Sequence, residues 1–428
     1  MNTKPESLLQ QAFDAGLAAV RPEDMLPSYL PEPPAGRLFI VGAGKAAAAM
    51  ARVCEQHYGT YHPDVPLSGL VITRYGHALP TQHIEVIEAG HPVPDEAGRA
   101  GTRKLLTMLE NVQADDLVLC LISGGGSALL SFPRNLSLAD HININEQLLT
   151  CGADIGEMNI IRKHLSKVKG GWLAKRAQPA KVVSLLISDV PGDDPSSIAS
   201  GPTVPDDSTY ADALDIYKRY NLDNQAAKNI LQRGVKKHIP ETPTARDACF
   251  ANTETHIIAT AQKMLEAAAA VFHQAGINPL ILTDSLTGEA REAAKFHAAM
   301  TRQIRLHQQP LALPCVLLSG GETSVTIRNE TSVRGRGGRN CEFLLSLAIE
   351  LAGMPNTYAL AADSDGIDGS EDAAGALLTP DSLPFGVKQA RTYLDRHDSY
   401  SYFERLGTLI KTGPTHTNVN DLRIVLIL

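Results

Sequence analysis

The sequence predicts an α/β protein of two domains, each a mostly parallel sheet covered by helices. Two observations lead to this prediction. The 428 residues exceed what one hydrophobic core usually organises, and short apolar runs alternate with Ala-rich or Leu-rich helical stretches from end to end. The first domain should be Rossmann-like, with polar residues at the carboxyl ends of its strands, where such sheets bind ligands.

Eight segments have the apolar, turn-bounded pattern of buried strands. They are RLFIVG from Arg37, LSGLVITR from Leu67, HIEVIEAG from His83, DLVLCLISG from Asp116, AKVVSLLISD from Ala180, NPLILTD from Asn278, PCVLLSGG from Pro314 and NTYALAADSDG from Asn356. Residues 235–248 interrupt the alternation with two prolines, threonines and charges. We therefore expect domains over 1–238 and 245–428, with the last segment of the chain a candidate to pack back on the first domain.

Composition narrows the class of partner. Lys and Arg number 39 against 47 Asp and Glu, a formal charge of −8 that disfavours binding to a phosphate backbone. The six cysteines include no C-x-x-C pair, as expected of reduced thiols. No apolar run approaches the roughly 20 residues of a membrane span, and the N-terminus lacks the apolar core of a signal peptide. These features predict a cytoplasmic protein that acts on a small molecule, without nucleic acid or membrane partners.

The first predicted strand runs into a glycine-rich loop. Gly42-Ala43-Gly44-Lys45-Ala46-Ala47 fits the dinucleotide pattern G-x-G-x-x-A. A nicotinamide site also needs an acid at the end of the next strand, but that strand ends in Thr73-Arg74, which would suit only NADP. A tight packing turn would explain Gly42 and Gly44 equally well, yet leaves Lys45 unexplained. A lysine at a helix start adds a positive charge within reach of a phosphate.

A second loop, Ser123-Gly124-Gly125-Gly126-Ser127, follows another very apolar strand. Its glycines would let backbone amides approach a ligand, and its serines offer hydroxyls to phosphate or sugar oxygens. A flexible turn is the alternative. It is the less favoured one, because three glycines lose much conformational entropy on folding and an ordinary turn offers no compensating interaction. Neither the P-loop pattern nor the protein-kinase motifs occur, so any phosphate chemistry here would use another scaffold.

Two further segments of the first half carry candidate ligands. Asp189 ends a predicted strand, where a carboxylate can hold Mg²⁺ together with water and substrate phosphates. Asp194 and Ser200 lie in the loop behind it. Upstream, an apolar helical stripe predicts that most of the nearby basic side chains form a solvent-facing surface, with Asn159 and Arg162 kept as candidate ligand contacts. These basic residues are Arg162, Lys163, His164, Lys167 and Lys169.

In the second half, RGRGGRNCEF (residues 334–343) places arginines among glycines before a predicted helix. An arginine fork at a helix start, from any of Arg334, Arg336 and Arg339 before Asn340, suits a carboxylate or a transferring phosphoryl group. Asp363 ends a strand and could cap a helix or contact Mg²⁺. Cationic loops, backbone amides and a metal are what phosphoryl transfer needs, so the residues alone indicate a kinase-like enzyme.

Nine motifs resemble, in order and over nearly the whole chain, the glycerate 2-kinases of the MOFRL family. They are VGAGKAA, GHPVPDEAG, LISGGGSALL, MNIIRKHLSKVKGGWLA, LLISDVPGDDPSSIASGPT, LLSGGETSV, GRGGRNCE, AADSDGIDG and TGPTHTNVNDL. The resemblance implies an enzyme that uses ATP and Mg²⁺ to phosphorylate D-glycerate at its 2-hydroxyl, giving 2-phosphoglycerate and ADP. It also implies an active site in the cleft between two α/β domains.

The resemblance also implies roles for individual residues. The active-site lysine of the family falls on Lys45 and its catalytic arginine on Arg339, with Arg336 as a fallback. Mg²⁺ would bridge the ATP phosphates, held by Asp189 as first choice and Asp363 as second. Lys45 and Arg339 would then act on the transferring phosphoryl group from the two domains.

Two positions depart from the usual family pattern. Cys341 replaces Gln in GGRNQE, and His416 replaces Gly in TGPTGTNVNDL, which leaves acceptor preference open. Members of the family have also been labelled hydroxypyruvate reductases, so an NAD(P)H-dependent reductase stays as an alternative function. A sensor that binds a sugar acid without turnover is a third hypothesis, and assembly as a homodimer is an open expectation.

Overall fold

The structure, a computed structural model, describes residues 4–327 and 335–428. It has the strands Leu38–Ala43 (β1), Leu67–Arg74 (β2), Ile84–Ala89 (β3), Leu117–Ile122 (β4), Lys181–Ile187 (β5), Thr253–Ala259 (β6), Asn278–Thr283 (β7), Cys315–Ser319 (β8), Thr357–Asp363 (β9), Gly375–Leu378 (β10), Leu409–Ile410 (β11) and Asp421–Ile427 (β12). Its helices are Pro5–Ala18 (α1), Pro22–Met25 (α2), Ala47–Tyr61 (α3), Glu96–Met108 (α4), Gly126–Leu129 (α5), Leu138–Thr150 (α6), Ile155–His164 (α7), Trp172–Arg176 (α8), Tyr210–Arg219 (α9), Gln225–Val235 (α10), Ala261–Gln274 (α11), Ala290–His307 (α12), Arg339–Leu351 (α13), Gly386–Asp395 (α14) and Ser399–Leu406 (α15). All eight predicted strands are present, and the α/β class is confirmed.

The first sheet is parallel, as predicted, and has six strands in the order β3-β2-β1-β4-β5-β6, of which β6 was not predicted. Dinucleotide-binding folds share this order. Its central strands β1 and β4 are buried along their whole length. The order reverses between β1 and β4, so the loops after these strands border the crevice where such sheets bind ligands.

The second sheet is mixed, which corrects the prediction of a mostly parallel sheet. Its order is β11-β10-β9-β12-β8-β7, and the pair β7–β8 is parallel while β12 runs antiparallel to both β8 and β9. The prediction failed because the sequence pattern did not identify β12 as a strand. The carboxyl ends of β8 and β9 consequently meet the amino end of β12 at one edge, where Asp421 lies opposite Asp363.

The chain forms two compact units that differ in extent from the predicted domains. The first unit is Pro22–Ile258, and the second combines α1 with Ala259–Leu428. The division follows β6, because this strand adds to the edge of the first sheet. Helix α1 packs closely on α11. A Cβ at Gly16, if one were present, would lie only 3.0 Å from the Met264 side chain. The last strand lies inside the second sheet. In the described parts of the chain, no helix combines the length and apolar character needed to span a membrane.

Candidate active site

The two glycine-rich loops meet at the carboxyl ends of β1 and β4. The N–H of Lys45 donates to the carbonyl of Gly124 at 2.8 Å, and the N–H of Ala46 donates to Ser123 Oγ at 3.0 Å. Both bonds follow from the register, which places the last residues of the two strands side by side. Lys45 is half-buried at the entrance to α3. The structure therefore brings the predicted lysine and the predicted glycine triplet into one loop pair.

Close packing explains the glycines of the first loop. A Cβ at Gly42 would lie 1.9 Å from the Leu121 carbonyl oxygen, and a Cβ at Gly44 would lie 2.0 Å from Ser123 Oγ. In the second loop, Gly125 has a φ of +83°, and a Cβ there would lie 2.9 Å from the His91 ring and 3.6 Å from Lys45 Cγ. The glycines thus let the two loops touch and set backbone beside Lys45.

Four predicted ligand residues of the first unit form one hydrogen-bonded chain. Ser127 Oγ lies 2.8 Å from Ser200 Oγ, and the Ser200 hydroxyl donates to Asn159 Oδ1 at 2.9 Å. Arg162 Nη1 lies 3.5 Å from the same Asn159 oxygen. These residues come from three separate segments, and Ser200 and Asn159 are buried. The fold therefore assembles them beside the second glycine-rich loop.

The prediction of a solvent-facing basic surface is wrong for three of its residues, because Lys163, His164 and Lys169 are buried. Lys163 Nζ lies 3.2 Å from Asp206 Oδ1, an ion pair inside the unit. Lys169 Nζ donates to the Leu130 carbonyl at 2.6 Å. Sequence periodicity missed the burial of the two lysines because their partners come from loops about 40 residues away in the chain.

The two predicted aspartates behind β5 have different surroundings. Asp189 follows the strand and is half-buried. Asp194 is exposed, and its carboxylate accepts the Ser196 N–H at 2.9 Å and the Ser197 hydroxyl at 3.1 Å. These local hydrogen bonds lower the pKa of Asp194, although burial acts in the opposite direction. Its role in the structure is to hold the turn. Within residues 4–327 and 335–428, no group of three or more His, Cys, Asp or Glu side chains is arranged to hold a metal ion.

In the second unit, Arg339 begins α13 and contacts three carboxylates. Its Nε lies 2.9 Å from Asp421 Oδ2, its Nη1 lies 2.8 Å from Glu322 Oε1, and its Nη2 lies 2.6 Å from Asp363 Oδ2. Glu322 follows β8, Asp363 ends β9 and Asp421 begins β12, so the shared sheet edge gathers them. Burial lowers the pKa of Arg339, but the surrounding carboxylates outweigh it and raise the pKa well above its usual range. The guanidinium is therefore a fixed cation.

Sequence reasoning missed three members of this cluster: Glu322, Asp421 and Arg423. Arg423 is fully buried and donates to Thr323 Oγ1 at 3.0 Å and to the carboxylate of Asp421. Asp421 and Arg423 are two residues apart and therefore share one face of β12. The sequence pattern identified the motif TGPTHTNVNDL, which contains Asp421, but it did not predict the strand β12.

The remaining predicted residues of this unit support the start of α13 or its surface. Asn340 is buried and donates from Nδ2 to Asp421 Oδ1 at 2.8 Å, while its N–H donates to Asp368, whose carboxylate caps the helix. Arg336 is exposed, bonded to Glu371 at 3.0 Å and stacked on Tyr400. The first arginine of the 334–343 segment lies outside the described residues.

The two residues that depart from the usual family pattern, Cys341 and His416, differ in their surroundings and backbone conformation. Cys341 is buried beside Asp368, and burial followed by this carboxylate raises the pKa of its thiol. His416 has a φ of +57°, in the left-handed region that favours glycine. The histidine therefore keeps a backbone conformation that the usual glycine would adopt without strain.

Comparison with known proteins gives consistent matches over the chain. A domain of unknown function, DUF4147, matches residues 8–233, and the MOFRL family matches residues 315–421. A protein of Agrobacterium vitis named "Putative hydroxypyruvate reductase" is 50% identical over 98% of this chain and 94% of its own. The D-glycerate 2-kinase of Thermotoga maritima is 39% identical over 99% of both chains.

A crystal structure supports the same relationship at the level of the fold. The glycerate kinase of Thermotoga maritima superposes with a TM-score of 0.86 at 38% identity, covering 99% of each chain. Sequence and fold similarity thus extend over both units and both glycine-rich loops. The chain therefore belongs to the glycerate kinase family, with a DUF4147 region followed by a MOFRL region.

Proposed function

We propose that the protein is an ATP-dependent kinase that phosphorylates D-glycerate at its 2-hydroxyl, giving 2-phosphoglycerate and ADP. The observation that carries the proposal is Lys45, a lysine at the contact between two glycine-rich loops where the strand order reverses. A cation at this point of a parallel sheet suits phosphate groups. The names of the relatives from Thermotoga maritima and Pyrococcus horikoshii, both 2-kinases of glycerate, support the same reaction.

Lys45 and Arg339 are the proposed catalytic residues. Phosphoryl transfer has a loose transition state, so its catalysis depends on positioning and on neutralising charge. Arg339 has five N–H donors, and its three closest carboxylate contacts within the described residues use one donor on each nitrogen. One N–H on each terminal nitrogen is then available to a phosphoryl oxygen. Its carboxylate partners hold the guanidinium in one orientation, which is the preorganisation that such catalysis requires.

Asp189 is the first proposed ligand of Mg²⁺, and Asp363 is the second. Asp363 accepts Arg339 on one oxygen and the N–H of Asp365 on the other, so it does not fit a metal ligand well. Asp189 follows β5 and is half-buried, and Mg²⁺ is usually held by one or two carboxylates together with substrate phosphates. When bound, the ion would neutralise charge on the phosphates of ATP.

Of the residues predicted to contact a ligand, we propose direct contacts only for residues of the first unit. The amides of Gly124 and Gly125 would contact phosphate, and the chain from Ser127 to Arg162 would contact the acceptor. Ser123 is fully buried and accepts the Ala46 N–H, and the Gly126 N–H donates to the Ser123 carbonyl at 3.2 Å, so we propose that these two residues position the loop. Asp194, Arg336 and Asn340 are engaged with protein partners described above, so we propose positioning roles for them.

A reductase that uses NADH or NADPH with hydroxypyruvate is the second candidate. It is favoured by the strand order of the first sheet and by the name of the Agrobacterium vitis relative. Against the use of NADH, β2 ends in Thr73 and Arg74, where an NAD site would have an acid for the ribose hydroxyls; Arg74 would suit only NADPH. The Thr73 hydroxyl instead faces the Lys45 carbonyl at 3.4 Å.

Two assays on one preparation test the proposal. ATP and D-glycerate should give a product that enolase accepts, because enolase uses 2-phosphoglycerate and not the 3-isomer. NADH or NADPH should not be oxidised by hydroxypyruvate. A Lys45→Met variant purified in parallel controls for contaminating kinases. Cofactor oxidation without phosphorylation would overturn the proposal, and thermal stabilisation by D-glycerate without either turnover would indicate a sensor.

A further inference from the structure

A small cavity in the first unit is lined by three basic side chains, of which the proposed function uses only Arg162. Its walls come from α5, α6, α7 and the segments next to them, with Phe132, Ile144 and Leu148 as apolar lining. The polar lining residues are Ser127, His141, Asn145, Arg162, Ser166 and Lys169. In a chain of net charge −8, a cavity lined by three basic residues and no acid is a local reversal of sign.

The hydrogen-bond partners of these basic groups are neutral within the described residues. Arg162 Nε lies 3.3 Å from Asn145 Oδ1, His141 Nδ1 lies 3.3 Å from Ser131 Oγ, and Lys169 bonds the Leu130 carbonyl. Lys169 is only 3% exposed, and an ammonium carries three donors. Burying a cation without a counter-charge is unfavourable.

The pKa values of these groups also show that their positive charge is unfavourable in the cavity. Burial, followed by the nearby Arg162, lowers the pKa of Lys169 to about 7. Burial also lowers the pKa of Arg162. Burial and then the charges of Lys169, Arg99 and Arg162 lower the pKa of His141 to about 3, so the ring is neutral at neutral pH. The positive charges of neighbouring groups lower the pKa values of Lys169 and His141. An anion in the cavity would have the opposite effect and would favour the protonated forms.

We propose that this cavity binds the carboxylate of the acceptor substrate, with Lys169, Arg162 and His141 as donors. The inference rests on the proposed function, since it assigns the acceptor to this site. The cavity has about 10 Å³ of free space, room for one group the size of a water molecule, so the group that would enter it is a single carboxylate oxygen. A guanidinium and an ammonium give it charge-assisted hydrogen bonds.

The position of the cavity fits this role. Ser127 lines it and belongs to the same loop as Gly125, where a Cβ would lie 3.6 Å from Lys45 Cγ. One end of this loop therefore contacts the proposed catalytic lysine, and the other forms a wall of the cavity. An acid anchored by its carboxylate would have its hydroxyls near Ser127 and along the loop. Neither Lys169 nor His141 was a candidate from the sequence.

Calorimetric titration of D-glycerate, alone and with ATP analogue, tests the proposal on three variants. Asn145→Asp is isosteric and places a carboxylate beside Arg162, so it should weaken D-glycerate binding about tenfold or more while keeping or raising the unfolding midpoint. Lys169→Met should weaken binding by a similar factor. The control Lys167→Met removes the same charge two residues away, where the side chain lies over the Phe132 ring, and should leave affinity within about twofold.

Steady-state kinetics separates this proposal from the proposed function. For the two cavity variants, KM for D-glycerate should rise and KM for ATP should stay near the wild-type value. Wild-type affinity and KM for D-glycerate in folded Asn145→Asp would overturn the cavity assignment while leaving the kinase intact. Weakened binding in both variants of a protein without kinase turnover would support the cavity and overturn the kinase. A wild-type protein that binds neither D-glycerate nor hydroxypyruvate would overturn the carboxylate assignment.

Discussion

The substitution Arg339→Ala removes the cation shared by Asp363 and Asp421. Their side chains are 3% and 0% exposed, and Arg339 itself is 20% exposed. Removing one partner of a buried ion pair destabilises a protein by about 3–5 kcal/mol, because the other charge stays buried. Asp421 keeps Arg423 and Asn340 as donors, so we expect the lower end, about 3 kcal/mol. For a unit of this size that loss lowers the unfolding midpoint by roughly 6–12 °C.

The same substitution should lower kcat of the enolase-coupled reaction by about a thousandfold or more, as for other arginines that stabilise a transferring phosphoryl group. Activity must be measured well below the midpoint found by circular dichroism. Arg339→Lys should recover part of the stability and little of the activity, because an ammonium cannot reach the three carboxylates as a fork does. Glu322→Gln is the control, since its side chain is 55% exposed and should contribute less than about 1 kcal/mol.

Two results would refute this reasoning separately. A folded Arg339→Ala protein with wild-type kcat would remove Arg339 from the catalytic residues. A midpoint within about 2 °C of wild type would show that the buried carboxylates do not depend on the guanidinium.

Two further predictions concern the first unit. Lys45→Met should lower kcat about a hundredfold or more while the unfolding midpoint stays within a few degrees, because the side chain is half-buried at a helix entrance; wild-type kcat would contradict its assignment. Lys169, with a pKa lowered to about 7, should make stability depend on pH. Between pH 7 and the ordinary lysine pKa the unfolded state binds more protons, so the free energy of unfolding should rise with pH, by up to about 1.4 kcal/mol per unit. Urea titrations at pH 7, 8 and 9 should show this slope in wild type and lose it in Lys169→Met, and equal slopes would contradict it.

The strands that the sequence predicted are those made of apolar residues. A central parallel strand such as β4 is covered on both faces and therefore reads as a continuous apolar run. Two of the missed strands, β6 and β12, do not have this continuous apolar pattern. In β6, exposed and covered residues alternate over its first half. In β12, Asp421 and Arg423 interrupt the apolar pattern, and both are buried because Asp421 pairs with Arg423 and also with Arg339.

The same limit applies to the candidate site. Glycine, lysine and serine patterns predicted the loop pair at β1 and β4, because close backbone approach leaves a local signature. The burial of Lys169 has no local signature in the sequence, since its acceptor is the Leu130 carbonyl 39 residues away in sequence. The carboxylates around Arg339 also required a strand order that the sequence pattern did not reveal. Contacts formed by tertiary packing alone were therefore the ones that the sequence could not predict.

The glycine pattern of the first loop does not distinguish a kinase from a dinucleotide enzyme. Gly42 and Gly44 lack side chains because Leu121 and Ser123 leave no room for them, and either kind of enzyme built on this strand order would meet that demand. The two activities differ in the charge that they require around the loop. A nicotinamide site needs an acid at the end of β2, whereas phosphoryl transfer needs a cation at the loop itself. This chain has Thr73 and Arg74 at the end of β2, which disfavours NAD and would suit only NADP, and it has Lys45 in the loop. Charge, and not the glycine spacing, therefore favours the kinase.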